Sequence, residues 1–176
     1  MTKFIMWLRD IGIFDFNDVG GKNASLGEMY NNLIQEKIKI PNAFVLTAHS
    51  YNTFIKFNNL DYDIKLLLES IDGSNLVSLR EKAALIRQKI CNGKIPDELY
   101  NEIIFNYSEL SKEYLGKNID VAVRSSSTAE DLPDASFAGL QETFLNVKGE
   151  THLIKSIKEC FASLYTDRAI SYRKTM

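Results

Sequence analysis

Two short stretches carry side chains suited to holding an anion. Near the start, Gly20-Gly21-Lys22 opens a run with helical spacing. Two glycines let the backbone approach a ligand closely, the N–H groups of a helix start favour negative charge, and Lys22 adds a full cation. In the last third, Arg124 is followed by Ser125, Ser126, Ser127 and Thr128. A planar guanidinium beside four hydroxyls suits a phosphate-bearing ligand. The loop after them is long and poor in core-type residues, and compact domains seldom keep such a loop unless it binds or covers something. Within it, Gly139 of Phe137-Ala138-Gly139 permits close backbone contact, and Thr143 adds a hydroxyl at the start of the returning strand.

Each stretch also has a plainer reading. Gly-Gly-Lys alone fits a turn with a solvated lysine. It is not a Walker A loop, because Asn23 stands where a magnesium-binding Ser or Thr belongs. Arg124 alone fits a structural ion pair with Glu130 or Asp131. Glu130, Asp131 and Asp134 read as solvated loop acids beside that arginine, so no metal ligand is assigned. His49 and His152 read as ordinary helix-terminal residues, and Trp7 as a packing residue.

The elements that must position these groups are mostly helical. Ile11 to Asp18 reads as an extended lead-in to a helix carrying Leu26, Met29, Tyr30, Leu33 and Ile34. Ala43 to Leu46 reads as a buried strand, and Thr47 as the N-cap of a helix burying Tyr51, Phe54 and Ile55. Leu76, Leu79, Ala83, Ile86 and Ile90 define one helix, which Asn92-Gly93 ends. Leu99, Ile103, Tyr107, Leu110 and Tyr114 define another, with Pro96 at its first turn. Ile119, Val121 and Val123 alternate with Asp120, Ala122 and Arg124, the period of a half-buried strand. Thr143 to Val147 forms the returning strand. Leu153, Ile154, Ile157, Cys160, Phe161 and Leu164 mark a closing helix. The mixed order predicts an α+β fold, helix-rich with a small mixed sheet of three or four strands whose edges need a partner.

A chain of 176 residues, 45% hydrophobic and 25% charged, has the make-up of a globular protein with an adequate core. Its formal net charge of −2 gives no general attraction to nucleic acid or an anionic membrane, so any anion site must be local. The basic cluster Arg168, Arg173 and Lys174 is too small to change that reading. Cys91 and Cys160 fall on apolar helical stripes without ligand spacing and read as buried free thiols. No signal peptide or membrane-length apolar run is visible, which predicts a cytoplasmic protein.

Three longer runs carry a resemblance. Val19 to Met29, Val121 to Val147 and Cys160 to Arg173 resemble the nucleotide-binding region of the phosphoenolpyruvate synthases, and more loosely that of pyruvate phosphate dikinases and rifampin phosphotransferases. The likeness spans nearly the whole chain. It implies that residues 1–176 are the N-terminal portion of an ATP-grasp-like nucleotide-binding domain. It further implies that Lys22 and Arg124 contact ATP phosphates while Gly139 and Thr143 line the nucleotide site. Ser127 replaces the family's usual alanine and Leu140 its usual glutamine; the second change removes an amide beside Gly139.

In that family the acidic Mg2+ ligands lie in a second half, and phosphate passes to a histidine on a separate domain. Neither is expected within these residues, so no catalytic residue is assigned and the chain alone is expected to be inactive. The family's activity converts ATP, pyruvate and water to AMP, phosphoenolpyruvate and phosphate. Pyruvate would bind through other domains, and the oligomeric state is left open. A rifampin phosphotransferase-like antibiotic kinase and a stand-alone, non-catalytic anion- or partner-binding module are the alternatives.

Overall fold

The computed structural model describes residues 3–33, 36, 38–71, 75–126, 131–132, 135–136 and 142–175, with side chains for all of these except 131, 132, 135, 136, 174 and 175. The fold is α+β and helix-rich. Among the described residues, every strand pairing is antiparallel and forms a separate two-stranded ribbon, where the pattern predicted one sheet of three or four strands. The chain divides into two compact units. One comprises 1–52, 96–119 and 126–136, the other 53–95, 120–125 and 137–176.

In the first unit, β1 (Ile5–Trp7) pairs with β2 (Phe44–Leu46), setting Ile5 opposite Leu46 and Trp7 opposite Phe44. The lead-in expected to be extended is helical instead. Ile13–Asp15 forms a 3-10 turn that runs into α1 (Phe16–Val19), and α2 (Gly21–Leu33) follows. Polar side chains explain the difference. The Asp15 carboxylate accepts from the Gly12 amide at 2.8 Å, and Glu28 of α2 accepts from the Ile13 amide at 3.2 Å. Turn donors are thereby satisfied without a neighbouring strand. The buried face of α2 also differs from the expected one. It presents Ala24 and Gly27, while Met29 is exposed. Leu8, Ile11, Val19, Ala24 and Val45 form the core at this point, with Leu26 and Tyr30 packed against it.

α6 (Asp97–Glu113) buries Leu99, Ile103, Tyr107 and Leu110, as their spacing predicts. Tyr114 is exposed at its end, although its hydroxyl accepts from the Asn42 amide at 2.8 Å. Trp7 does act in packing: its ring meets Phe44 at 5.9 Å, and its Nε1 donates to Asn106 at 2.7 Å. β4 (Asp131–Leu132) and β5 (Ala135–Ser136) pair within the stretch read as a loop.

α3 (Ala48–Phe57) is capped by Thr47, whose Oγ1 accepts from the Ser50 amide at 3.4 Å; Phe54 and Ile55 are buried, Tyr51 only partly. In the second unit, α4 (Leu60–Glu69) packs on α5 (Leu76–Asn92). α5 is capped by Asn75, which accepts from the Val77 and Ser78 amides at 3.0 Å each. It buries Leu79, Ala83, Ile86 and Ile90, whereas Leu76 is exposed. α7 (Glu150–Ser163) lies on α5 and backs the ribbon of β3 (Val121–Arg124) and β6 (Thr143–Val147). A further helix the pattern missed, α8 (Asp167–Thr175), places Ile170 against Leu79 and Ala83.

One irregularity orients the ribbon. Val121 faces Val147 while Val123 faces Phe144, so β6 carries one residue more than β3 over this span. Asn146 absorbs it with φ of 55°, a bulge in the left-handed region that asparagine tolerates. The bulge lets Phe144 and Val147 both turn inward although they are three residues apart, and Val147 is fully buried. Replacing Asn146 with valine should cost about 1–2 kcal/mol, because a branched side chain resists positive φ. Asn146→Gly should leave stability within about 0.5 kcal/mol of the parent. Urea denaturation of both variants measures the contrast; equal stabilities would contradict the bulge.

Candidate functional site

Gly20 separates α1 from α2 with φ of 80° and ψ of 157°, a conformation that side chains with a Cβ rarely adopt. Its amide closes α1 on the Phe16 carbonyl at 2.9 Å, and its carbonyl takes the Ala24 amide at 3.0 Å. One glycine thus ends one helix and begins the next. The first turn of α2 opens on Gly21 and Lys22, where N–H groups have no intrahelical acceptor. Lys22 is exposed there. Neighbouring residues fasten the helix: the Asn23 amide donates to the Val19 carbonyl at 2.8 Å, Ala24 is buried, and Gly27 touches Ile11. The Val19–Met29 run therefore mixes fastening residues with one cation at a helix start.

The second half of the predicted site stands on the β3–β6 ribbon. Arg124 and Thr143 are direct partners in register. Directly opposed residues of an antiparallel pair share a face, with Cβ atoms about 5 Å apart. Both residues are exposed, so guanidinium and hydroxyl lie side by side on the outer face. Nineteen positions of sequence hide this adjacency; the alternation of β3, with β6 read as its returning strand, is the signal that reveals it.

The serine run is only partly available. The Ser125 amide and hydroxyl both donate to the Glu142 carbonyl at 3.4 Å, extending the ribbon by one step. Among the described residues, Ser126 Oγ is sealed from solvent without a hydrogen-bond partner. Ser127, Thr128, Glu130, Asp134, Gly139 and Leu140 lie outside the described residues. Lys22 belongs to the first unit, Arg124 and Thr143 to the second.

The titratable groups read as inert are located as expected, with one difference. Cys160 is buried, and desolvation, reinforced by Glu142 and Glu159, pushes its thiol up to about 12. Cys91 is only half-buried; burial still raises its thiol above the ordinary value, with Glu159 adding to the effect. Both stay protonated at neutral pH. His49 sits in the first turn of α3, stacked on Phe4 at 5.0 Å. His152 lies in the first turn of α7, its Nδ1 accepting from the Lys148 amide at 3.4 Å. Among the described residues, no three His, Cys, Asp or Glu side chains stand together to hold a metal ion, and no helix is long and apolar enough to cross a membrane.

An exposed lysine at a helix start and an exposed Arg–Thr pair on a ribbon are groups that bind phosphate oxygens. Comparison with known proteins gives the chain its family. Residues 16–176 match the pyruvate phosphate dikinase AMP/ATP-binding domain family, and the chain belongs to that family. It is 48% identical over 170 residues to a phosphoenolpyruvate synthase of Aquifex aeolicus, covering 97% of this chain and 20% of the relative. Similar proteins carrying the same name are 46% identical in Helicobacter pylori and in Escherichia coli, over 97% and 98% of this chain. The chain spans about a fifth of the length of these curated relatives.

Proposed function

We propose that residues 1–176 form the N-terminal part of the ATP-binding region of a phosphoenolpyruvate synthase, with an ATP-grasp-like architecture that residues outside this chain complete. The activity of the full-length protein would be conversion of ATP, pyruvate and water to AMP, phosphoenolpyruvate and phosphate through a phosphohistidine, in the cytoplasm. The relatives named above support this acceptor over an antibiotic hydroxyl. Pyruvate, the phosphohistidine domain and the Mg2+ ligands are assigned to the remaining four fifths of such a protein. Mg2+ would neutralise charge on the phosphates there.

Within this chain the roles divide by chemistry. The first-turn N–H groups of α2 and the Lys22 ammonium hold phosphate oxygens, while Arg124 offers a two-pronged donor to another phosphate. Thr143 donates its hydroxyl beside that guanidinium. Gly139 lines the nucleotide by close backbone approach. Phosphoryl transfer asks the protein mainly to position the phosphates and to stabilise charge as it shifts. The register that sets Arg124 against Thr143, on an exposed ribbon in a chain of the AMP/ATP-binding family, is the observation that carries this reading.

ATP titrated into the isolated, 15N-labelled chain tests it. Binding should be weak, about millimolar or −4 kcal/mol, because most of the phosphate-neutralising groups are assigned elsewhere. The amides of Gly21, Lys22, Arg124 and Thr143 should shift together. Saturable ATP binding that leaves all four unmoved would overturn the assignment. Submicromolar affinity would show that these residues hold a more complete site than proposed.

A further inference from the structure

Two large apolar residues stand in succession on β6, Phe144 and Leu145, and an extended strand can turn only one of them inward. Phe144 is half-buried, whereas Leu145 is 61% exposed. A regular ribbon continued from Val121 opposite Val147 would reverse that choice. Ala122 would face Asn146, Val123 would face Leu145, and Arg124 would face Phe144. Leu145 would then turn inward, Phe144 would occupy the outer face beside the guanidinium, and Thr143 would turn away from it. Along such a ribbon the Arg124–Thr143 pair does not form.

Apolar burial separates the two registers weakly, since each puts one large apolar side chain inside and leaves the other outside. Hydrogen bonding at the Arg124 end adds little. The Ser125 amide and hydroxyl reach the Glu142 carbonyl at 3.4 Å, long for such bonds. The opposite end is fastened. Val147 is fully buried, Lys148 meets Asp120 at 3.6 Å, and Gly149 turns the chain into α7 with φ of 79°. A change of register therefore moves Thr143 and Phe144 and leaves Val147 in place. The deciding element is the backbone at Asn146, which holds φ of 55° in the bulge and would be ordinarily extended without it.

We infer that Asn146 is a positioning residue of the nucleotide site: its tolerance of positive φ selects the register in which Thr143, and not Phe144, stands beside Arg124. Asparagine enters the left-handed region several-fold more readily than most residues, and a branched side chain resists it. Asn146 stands three residues beyond Thr143 and acts through the strand. This role rests on the nucleotide reading above, whereas the register that Asn146 sets can be measured without any ligand.

Cross-strand α-proton contacts in the 13C,15N-labelled chain, read by nuclear Overhauser effects, report the register. The parent and Asn146→Gly should show Arg124 against Thr143. Asn146→Val should bring in an Arg124–Phe144 contact at the expense of the first, the ratio moving about tenfold. Deleting Asn146 should keep the parent's contact. β6 then has four residues for the four of β3, so Val121 still meets Val147 and Arg124 still meets Thr143 in a regular ribbon. In a full-length protein bearing this sequence, Asn146→Val should lower kcat/KM for ATP about tenfold or more, while the deletion and Asn146→Gly stay within about threefold of the parent. If the valine protein does not fold, Asn146→Ala is the milder variant, read in the same way. A substituted protein that shows the Arg124–Thr143 contact alone, or a folded deletion protein that loses it, would overturn the inference. Contacts that move as expected while turnover stays unchanged would also overturn the positioning role, and would trace the failure to the nucleotide reading, since the register had responded.

Discussion

Lys22→Ala and Arg124→Ala, each made in a full-length protein bearing this sequence, are expected to lower ATP-dependent turnover by at least about a hundredfold, the usual cost of removing one preorganised charge-stabilising group. The melting temperature should stay within about 2 °C, because both side chains are exposed. The two losses should differ in kind. Lys22 adds a point charge to a helix start whose N–H groups remain after truncation, so Lys22→Arg should recover part of the rate. Arg124 offers a rigid fork beside Thr143, and Arg124→Lys should recover little. Steady-state kinetics separate the effects: an interaction made only as charge shifts lowers kcat and kcat/KM together, whereas uniform binding raises KM alone. Wild-type rates in both alanine variants would remove these residues from the site.

The parts of this arrangement legible in the sequence are those set by local pattern. The alternation of β3 and the buried stripe of α6 follow from apolar period alone, and the Arg124–Thr143 neighbours follow once both strands are placed. What escaped depends on partners distant along the chain or on polar detail. β1 is three residues long, and its pairing partner begins with Phe44, so neither length nor neighbourhood announces it. α8 is mostly polar, and its attachment comes from Thr166 capping Ala169 at 3.2 Å, with Asp167 holding Arg87. The lead-in looked extended because its apolar residues alternate with acids, yet Ile13, Phe14 and Phe16 are exposed rather than buried. Asn146 left one sign, since Phe144 and Val147 stand at odd spacing with both facing the core; in a regular strand that is impossible, so a bulge is required.

Gly27→Leu should be the most damaging single change in the first unit. A Cβ at Gly27 would lie 2.6 Å from the Ile11 carbonyl oxygen and 2.7 Å from the Ile11 Cβ and Cγ2. No real Cβ contact is that short, and the obstructing atoms include backbone that cannot swing aside. Nor is Ile11 free to retreat. It is 1% exposed in the core, and its carbonyl also accepts from the Asn31 side chain at 3.0 Å. Even Gly27→Ala should cost about 1–3 kcal/mol by overpacking, and leucine about 3 kcal/mol or more. For a chain of this size, leucine should then lower the melting temperature by roughly 6–12 °C. Gly12→Ala is the internal comparison, since a Cβ there would meet its nearest atom at an ordinary 3.7 Å. Its melting temperature should move by less than about 2 °C. The site feels the clash as well. Ile11 leads into the turn before α1, and any outward shift of α2 displaces the helix start that presents Lys22. ATP titration of a folded Gly27→Ala protein should therefore show weaker shifts at Gly21 and Lys22 than at Arg124 and Thr143; unchanged stability in both Gly27 variants would show that the contact with Ile11 is not fixed.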